Sequence, residues 1–152
     1  MRSDQPLRWG IMGAGNIAHK MAEAIGLEAG CELVAVASKT PAKAEAFARQ
    51  YDLTAETYQS LLERTDVDII YIATTHNFHA DNALMALEHG KHLVVEKPFT
   101  VNSAQARQLQ QRAKDRQCFL MEAIWTRFLP LMNKLRETLR DGTIGEVKLA
   151  NI

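Results

Sequence analysis

Apolar residues fill this chain in short, mostly uninterrupted runs, at 7–12, 33–37, 68–73, 92–95 and 118–121. Runs of that length without polar alternates read as strands buried on both faces. Between them the apolar positions recur every third or fourth residue, the period of a helix with one face on a core. Ile17, Ala18, Met21, Ala22 and Ile25 follow the first run and the Gly13 turn at that spacing, predicting strand, tight turn, helix. Thr40-Pro41 supplies an N-cap and a first-turn proline for a helix running to about Gln50. Thr57 caps a short helix through Leu61 and Leu62, and a helix over 77–89 stops at Gly90. Asn102 with Gln105 makes a capping box, stapled by Val101 and Ala106, for a helix reaching Arg116. Pro130 opens a last helix with Leu131, Leu135 and Leu139 on one face, ended by Asp141-Gly142. Strands that alternate with helices and are apolar throughout predict an α/β fold with a doubly wound parallel sheet.

Composition narrows the function classes more than the fold. The 152 residues are 47% hydrophobic and 24% charged, enough for one packed core. Eighteen Lys and Arg balance eighteen Asp and Glu, so no general electrostatic attraction to nucleic acid or an anionic membrane is expected. No apolar run approaches the roughly 20 residues that span a bilayer. The start, Met1-Arg2-Ser3-Asp4-Gln5-Pro6, has an acid and a proline where a secretory signal needs an apolar run, so the expected location is the cytoplasm. Cys31 and Cys118 sit in separate segments beside strand residues and read as reduced core groups.

Gly13-Ala14-Gly15-Asn16-Ile17-Ala18 is a G-x-G-x-x-A turn between a strand and a helix. Its first glycine makes the turn, Gly15 admits a pyrophosphate to the backbone, and Ala18 permits close helix packing, with Asn16 and Ile17 opening the helix toward the phosphates. Residues 1–123 are therefore assigned to a dinucleotide-binding Rossmann domain, 124–142 to a crossover helix, and 143–152 to the first strand of an α+β substrate domain otherwise absent from the chain. NAD-binding versions of this turn carry an acid at the end of the second strand. Here Ser38-Lys39-Thr40 stands in its place, which favours a 2′-phosphate and hence NADP over NAD. Three further polar groups follow later strands: Thr74-Thr75-His76-Asn77, then Glu96-Lys97, then Trp125 with Arg127. In an open α/β sheet all would line one crevice beyond the carboxyl ends of the strands. Trp125 reads as a pocket wall or as core, and Arg127 as an anchor for a polar group or as half of an ion pair. His76 and His79 lie three apart without a third ligand nearby, so no metal site is expected. Pro98 restricts Lys97 to extended backbone and permits a cis bond before it.

The Gly13 turn, the strand 68–74 with His79 five residues beyond, and Gly90-Lys91-His92-Leu93-Val94-Val95-Glu96-Lys97-Pro98-Phe99 together resemble the Gfo/Idh/MocA oxidoreductases. Met121-Glu122-Ala123-Ile124-Trp125-Thr126-Arg127-Phe128-Leu129-Pro130 is similar to the branch holding dimeric dihydrodiol dehydrogenases and NADP-dependent D-xylose dehydrogenases. His76 departs from the pattern, since many members have asparagine there after a proline that here is Thr75. The resemblance implies a dehydrogenase that moves a hydride between nicotinamide and a secondary alcohol of a sugar or cyclic diol. It also implies that Lys97 handles the substrate proton, that His79 stands near the substrate, that Glu96 orients or touches the cofactor, and that the protein forms a homo-oligomer. The 152-residue chain by itself is expected to bind cofactor without turning substrate over. A nucleotide-sensing Rossmann module without catalysis is the alternative reading.

Overall fold

The structure is a computed structural model that describes residues 5–150. Met1–Asp4, on which part of the leader argument rests, and residues 151–152 lie outside the described residues. The chain runs β1 (Leu7–Met12), α1 (Asn16–Gly26), β2 (Cys31–Ala37), α2 (Pro41–Tyr51), β3 (Thr54–Glu56), α3 (Tyr58–Glu63), β4 (Ile69–Ile72), α4 (His79–Glu88), β5 (His92–Val95), α5 (Ser103–Asp115), β6 (Leu120–Glu122) and α6 (Pro130–Arg140). Two short 3-10 turns, His76–Phe78 and Trp125–Phe128, follow β4 and β6.

All six strands join one sheet in the order β3-β2-β1-β4-β5-β6, and every pairing is parallel. The order reverses at β1, where β2 pairs on one side and β4 on the other. That reversal opens a crevice at the carboxyl edge. Alternate residues serve opposite faces, as the period of a strand requires. Met12, Ile70, Ile72 and Leu93 pack against the side carrying α3, α4 and α5. Ile11, Ile69, Tyr71 and Val94 pack against the side carrying α1 and α2. Both faces are covered over most of the sheet, which is why the strand sequences show no polar alternation.

The expected elements hold with local differences that have physical causes. β3 was not visible as a run because its Thr-Ala-Glu sequence is short and polar; it is held by pairing with β2 rather than by its own burial. Thr57 caps α3 through a complete capping box with Ser60. At α5 only half of that device forms. Asn102 accepts from the Gln105 N–H at 2.9 Å, but the Gln105 side chain returns to the Val101 N–H at 3.3 Å instead of that of Asn102. Thr40 occupies the N-cap of α2 with Pro41 next, yet its side chain makes no cap hydrogen bond. The 77–89 helix begins at His79 after the 3-10 turn. Residues 145–150 form no strand, since an edge without a partner has nothing to complete its hydrogen bonds. Leu131, Leu135 and Leu139 of α6 are correspondingly exposed. Among the described residues no helix is long and apolar enough to cross a membrane.

Candidate functional site: a crevice at the carboxyl edge of the sheet

The glycine turn stands at the centre of the crevice. Gly13 has φ +107°, and a Cβ there would lie 2.6 Å from the Ala73 carbonyl oxygen. Its N–H donates to Ala37 at 2.8 Å, while the Ala73 N–H donates to Met12 at 2.8 Å. The end of β1 is thus wedged between the ends of β2 and β4, and only glycine fits. Gly15 differs. Its φ of −97° suits any residue, and a Cβ there would meet nothing within 4 Å. Nothing within the chain calls for glycine at that position, so the open space above it fits a ligand's approach. Ala18 is fully buried against the sheet. No side chain caps α1 and its first turn has no acid, which leaves the first N–H groups of the helix and its positive end facing the crevice.

On the β2 side, Ser38 Oγ accepts from the Thr40 N–H at 3.2 Å. Lys39 and Thr40 are exposed. The Lys39 ammonium lies 3.8 Å from the centroid of the Phe78 ring, a contact that sequence reasoning did not anticipate. On the β4 side, Thr74 is half-buried and its hydroxyl accepts from Asn82 Nδ2 at 3.0 Å. Thr75, His76 and Asn77 are exposed along the 3-10 turn, open to the crevice mouth.

His79 is placed differently from the expectation of a group beside the substrate. It is only 1% exposed, with Nδ1 2.9 Å from the Pro98 carbonyl oxygen and Nε2 2.9 Å from that of Thr74. Both nitrogens are engaged by main chain, so the ring ties the β4 end to the turn after β5 and presents neither nitrogen to the crevice. The physical reason is the late start of α4, which turns its first residue inward.

Lys97 occupies the turn that His79 holds. The Lys97–Pro98 bond is cis. Three consecutive backbone groups there are each held by a side chain. The Lys97 N–H donates to Glu96 Oε2 at 3.0 Å, Pro98 O faces His79, and the Phe99 N–H donates to Glu122 Oε1 at 2.9 Å. The other Glu96 oxygen accepts from the Tyr71 hydroxyl. Burial, reinforced by the Glu96 carboxylate, pushes the Tyr71 phenol well above its ordinary pKa, so it stays the donor. The Lys97 side chain is exposed, and its ammonium has no hydrogen bond or ion pair among the described residues. The other lysine of this segment, Lys91, is buried at the opposite edge, donating to the carbonyls of Arg64 and Val67. Of the two, only Lys97 is free to act on a ligand.

Beside Glu96 and Tyr71 opens an apolar groove of about 530 Å³, bounded also by Ile17, Val94, Trp125 and Phe128. Trp125 is 64% exposed, so it is a wall rather than core. Arg127 is exposed, and its carbonyl accepts from Arg136. Among the described residues no cluster of three or more His, Cys, Asp or Glu could hold a metal ion. Tyr71, Phe78, Asn82 and Glu122 are the participants that the sequence reading missed. Glu122 belongs to the 121–130 segment and Phe78 follows Asn77 directly, but neither has a partner visible in the sequence.

Comparison with known proteins agrees with this geometry. The model of a family described as "Oxidoreductase family, NAD-binding Rossmann fold" matches residues 7–124. The chain is 43% identical to a D-xylose 1-dehydrogenase (NADP(+)) of Hypocrea jecorina over 97% of its length, and 40% identical to a trans-1,2-dihydrobenzene-1,2-diol dehydrogenase of Mus musculus over 95%. It spans 42% and 44% of those relatives. Among solved structures, a 3-ketoreductase from Actinomadura kijaniata in complex with NADP and TDP-benzene superposes with a TM-score of 0.86 at 33% identity, covering 93% of this chain and 44% of that one.

Proposed function

Because this chain belongs to the Gfo/Idh/MocA oxidoreductase family, we propose that it forms the NADP-binding part of a dehydrogenase acting on a secondary alcohol of a sugar or cyclic diol. The observation that carries the reading is the meeting of three features along one edge of the sheet. These are the uncapped start of α1 above Gly15, the unneutralised Lys39 after β2, and the exposed Lys97 on its clamped turn. The two relatives above are named as dehydrogenases of a sugar and of a cyclic diol, which supports the substrate class.

In this reading the amides of Asn16 and Ile17 hold the pyrophosphate, with Gly13, Gly15 and Ala18 shaping the approach. Ser38, Lys39 and Thr40 hold the 2′-phosphate, and none of the three carries a carboxylate to repel it. Thr74, Thr75, His76 and Asn77 line the side of the nicotinamide ribose, Glu96 fixes the Lys97 backbone, and Trp125 with Arg127 bounds the substrate end. NADP when bound supplies the hydride acceptor. In alcohol oxidation the Lys97 amine would take the hydroxyl proton as the carbon gives up its hydride, and in the reverse direction the Lys97 ammonium would return it. His79 acts as a positioning residue for that turn. Residues 1–123 make the dinucleotide-binding domain, 124–142 a crossover, and 143–152 the lead into a substrate domain.

Lys39→Ala tests the cofactor assignment. It should weaken NADP binding by about 1 to 3 kcal/mol, the scale of a hydrogen bond to a charged group, and leave NAD nearly unchanged. Calorimetric titration with both dinucleotides reads the difference, and equal losses would contradict a phosphate-reading Lys39.

A further inference from the structure

Lys39 follows β2 and Phe78 lies beyond β4, on opposite sides of β1 in the sheet. Their contact at 3.8 Å therefore bridges the carboxyl end of β1, beside the Gly13 turn. Both partners are held from behind. The Phe78 N–H donates to Thr75 at 2.9 Å, and the next residue is the buried anchor His79. On the Lys39 side, the neighbouring Thr40 N–H donates to Ser38 Oγ at 3.2 Å. Phe78 nonetheless leaves 39% of its surface exposed.

A ring face attracts an ammonium through its quadrupole, yet it carries no net charge and is a poor hydrogen-bond acceptor. A carboxylate in the same place would order the lysine and cancel it. The ring orders the lysine and leaves its charge unspent, so part of the side-chain entropy is lost before an anion arrives. We propose that Phe78 is a specificity-determining residue for 2′-phosphorylated dinucleotides, acting by holding the Lys39 ammonium ordered and unneutralised at the adenosine end of the crevice. This rests on the NADP reading above. Phe78 is a positioning residue here, and its effect passes through Lys39.

Titration calorimetry of the 152-residue chain with NADP+ and NAD+ tests it in the wild type, Phe78→Leu, Phe78→Trp, Lys39→Ala and the Lys39→Ala/Phe78→Leu pair. Phe78→Leu should weaken NADP+ by about 3- to 10-fold and NAD+ by less than about twofold, whereas Phe78→Trp keeps the wild-type preference. With Lys39 already alanine, Phe78→Leu should change NADP+ binding no further. Equal weakening of both dinucleotides, or a full additional loss in the double variant, would overturn the proposal and make Phe78 a stacking surface for the base. A wild-type chain that binds both equally would remove the NADP reading itself, and it does so before any variant is compared.

Discussion

Lys97→Met is expected to lower turnover by about 100-fold or more while leaving NADP affinity within about twofold, because assistance to proton transfer is typically worth 100- to 10,000-fold. Methionine keeps an unbranched apolar stem out to Cε, with sulfur in place of Cδ, and removes the ammonium. The three clamps on the turn act on backbone groups of residues 97–99, so they survive the substitution and the turn stays in place. The loss should fall on kcat and kcat/KM together. A catalytically competent form of the protein, followed by NADPH formation on sugars and cyclic diols, gives the measurement. A matching loss of NADP affinity would make Lys97 a cofactor-binding residue, and a near-normal rate would remove it from the chemistry.

The two glycines of the turn should respond in opposite ways. Gly13→Ala places a Cβ 2.6 Å from the Ala73 carbonyl oxygen at φ +107°, adding strain to a clash with backbone that cannot move without parting β1 from β4. A loss of about 2 to 4 kcal/mol is expected, lowering Tm by roughly 5 to 15 °C for a domain of this size. Gly15→Ala meets no neighbour and should leave stability within about 0.5 kcal/mol. It should weaken dinucleotide binding by about tenfold or more, because its methyl group projects where the pyrophosphate must pass. Thermal melts paired with NADP titrations separate the two. A stable Gly13→Ala protein would contradict the wedge, and unimpaired binding by Gly15→Ala would contradict the phosphate path.

The parts of the site that could be read from the sequence are those whose reason is local. A glycine turn between a strand and a helix, a missing acid after β2, and a lysine before a proline each carry their logic within a few residues. The parts that could not be read depend on partners brought together by the sheet. Tyr71 meets Glu96 across 25 residues and Phe99 meets Glu122 across 23, spacings that no local pattern encodes. His79 was misplaced for a related reason. The family resemblance set it beside the substrate, whereas the 3-10 turn ends just before it and its ring is directed inward onto main-chain carbonyls. In the fold, β3 escaped notice because its three residues are mostly polar and their place is set by pairing with β2. The strand expected at 143–152 needs a pairing partner that the described residues do not offer.

The central expectation is that one crevice at the carboxyl edge of the sheet binds NADP. The most direct measurement is titration of the uniformly ¹⁵N-labelled chain with NADP+ and, separately, NAD+, followed amide by amide. NADP+ is expected to shift the amides of 13–18, 38–40, 74–78, 97 and 99 at lower concentration than NAD+ does, with the 38–40 set distinguishing the two dinucleotides most. Shifts confined to other surfaces, or 38–40 amides that respond identically to both, would contradict it.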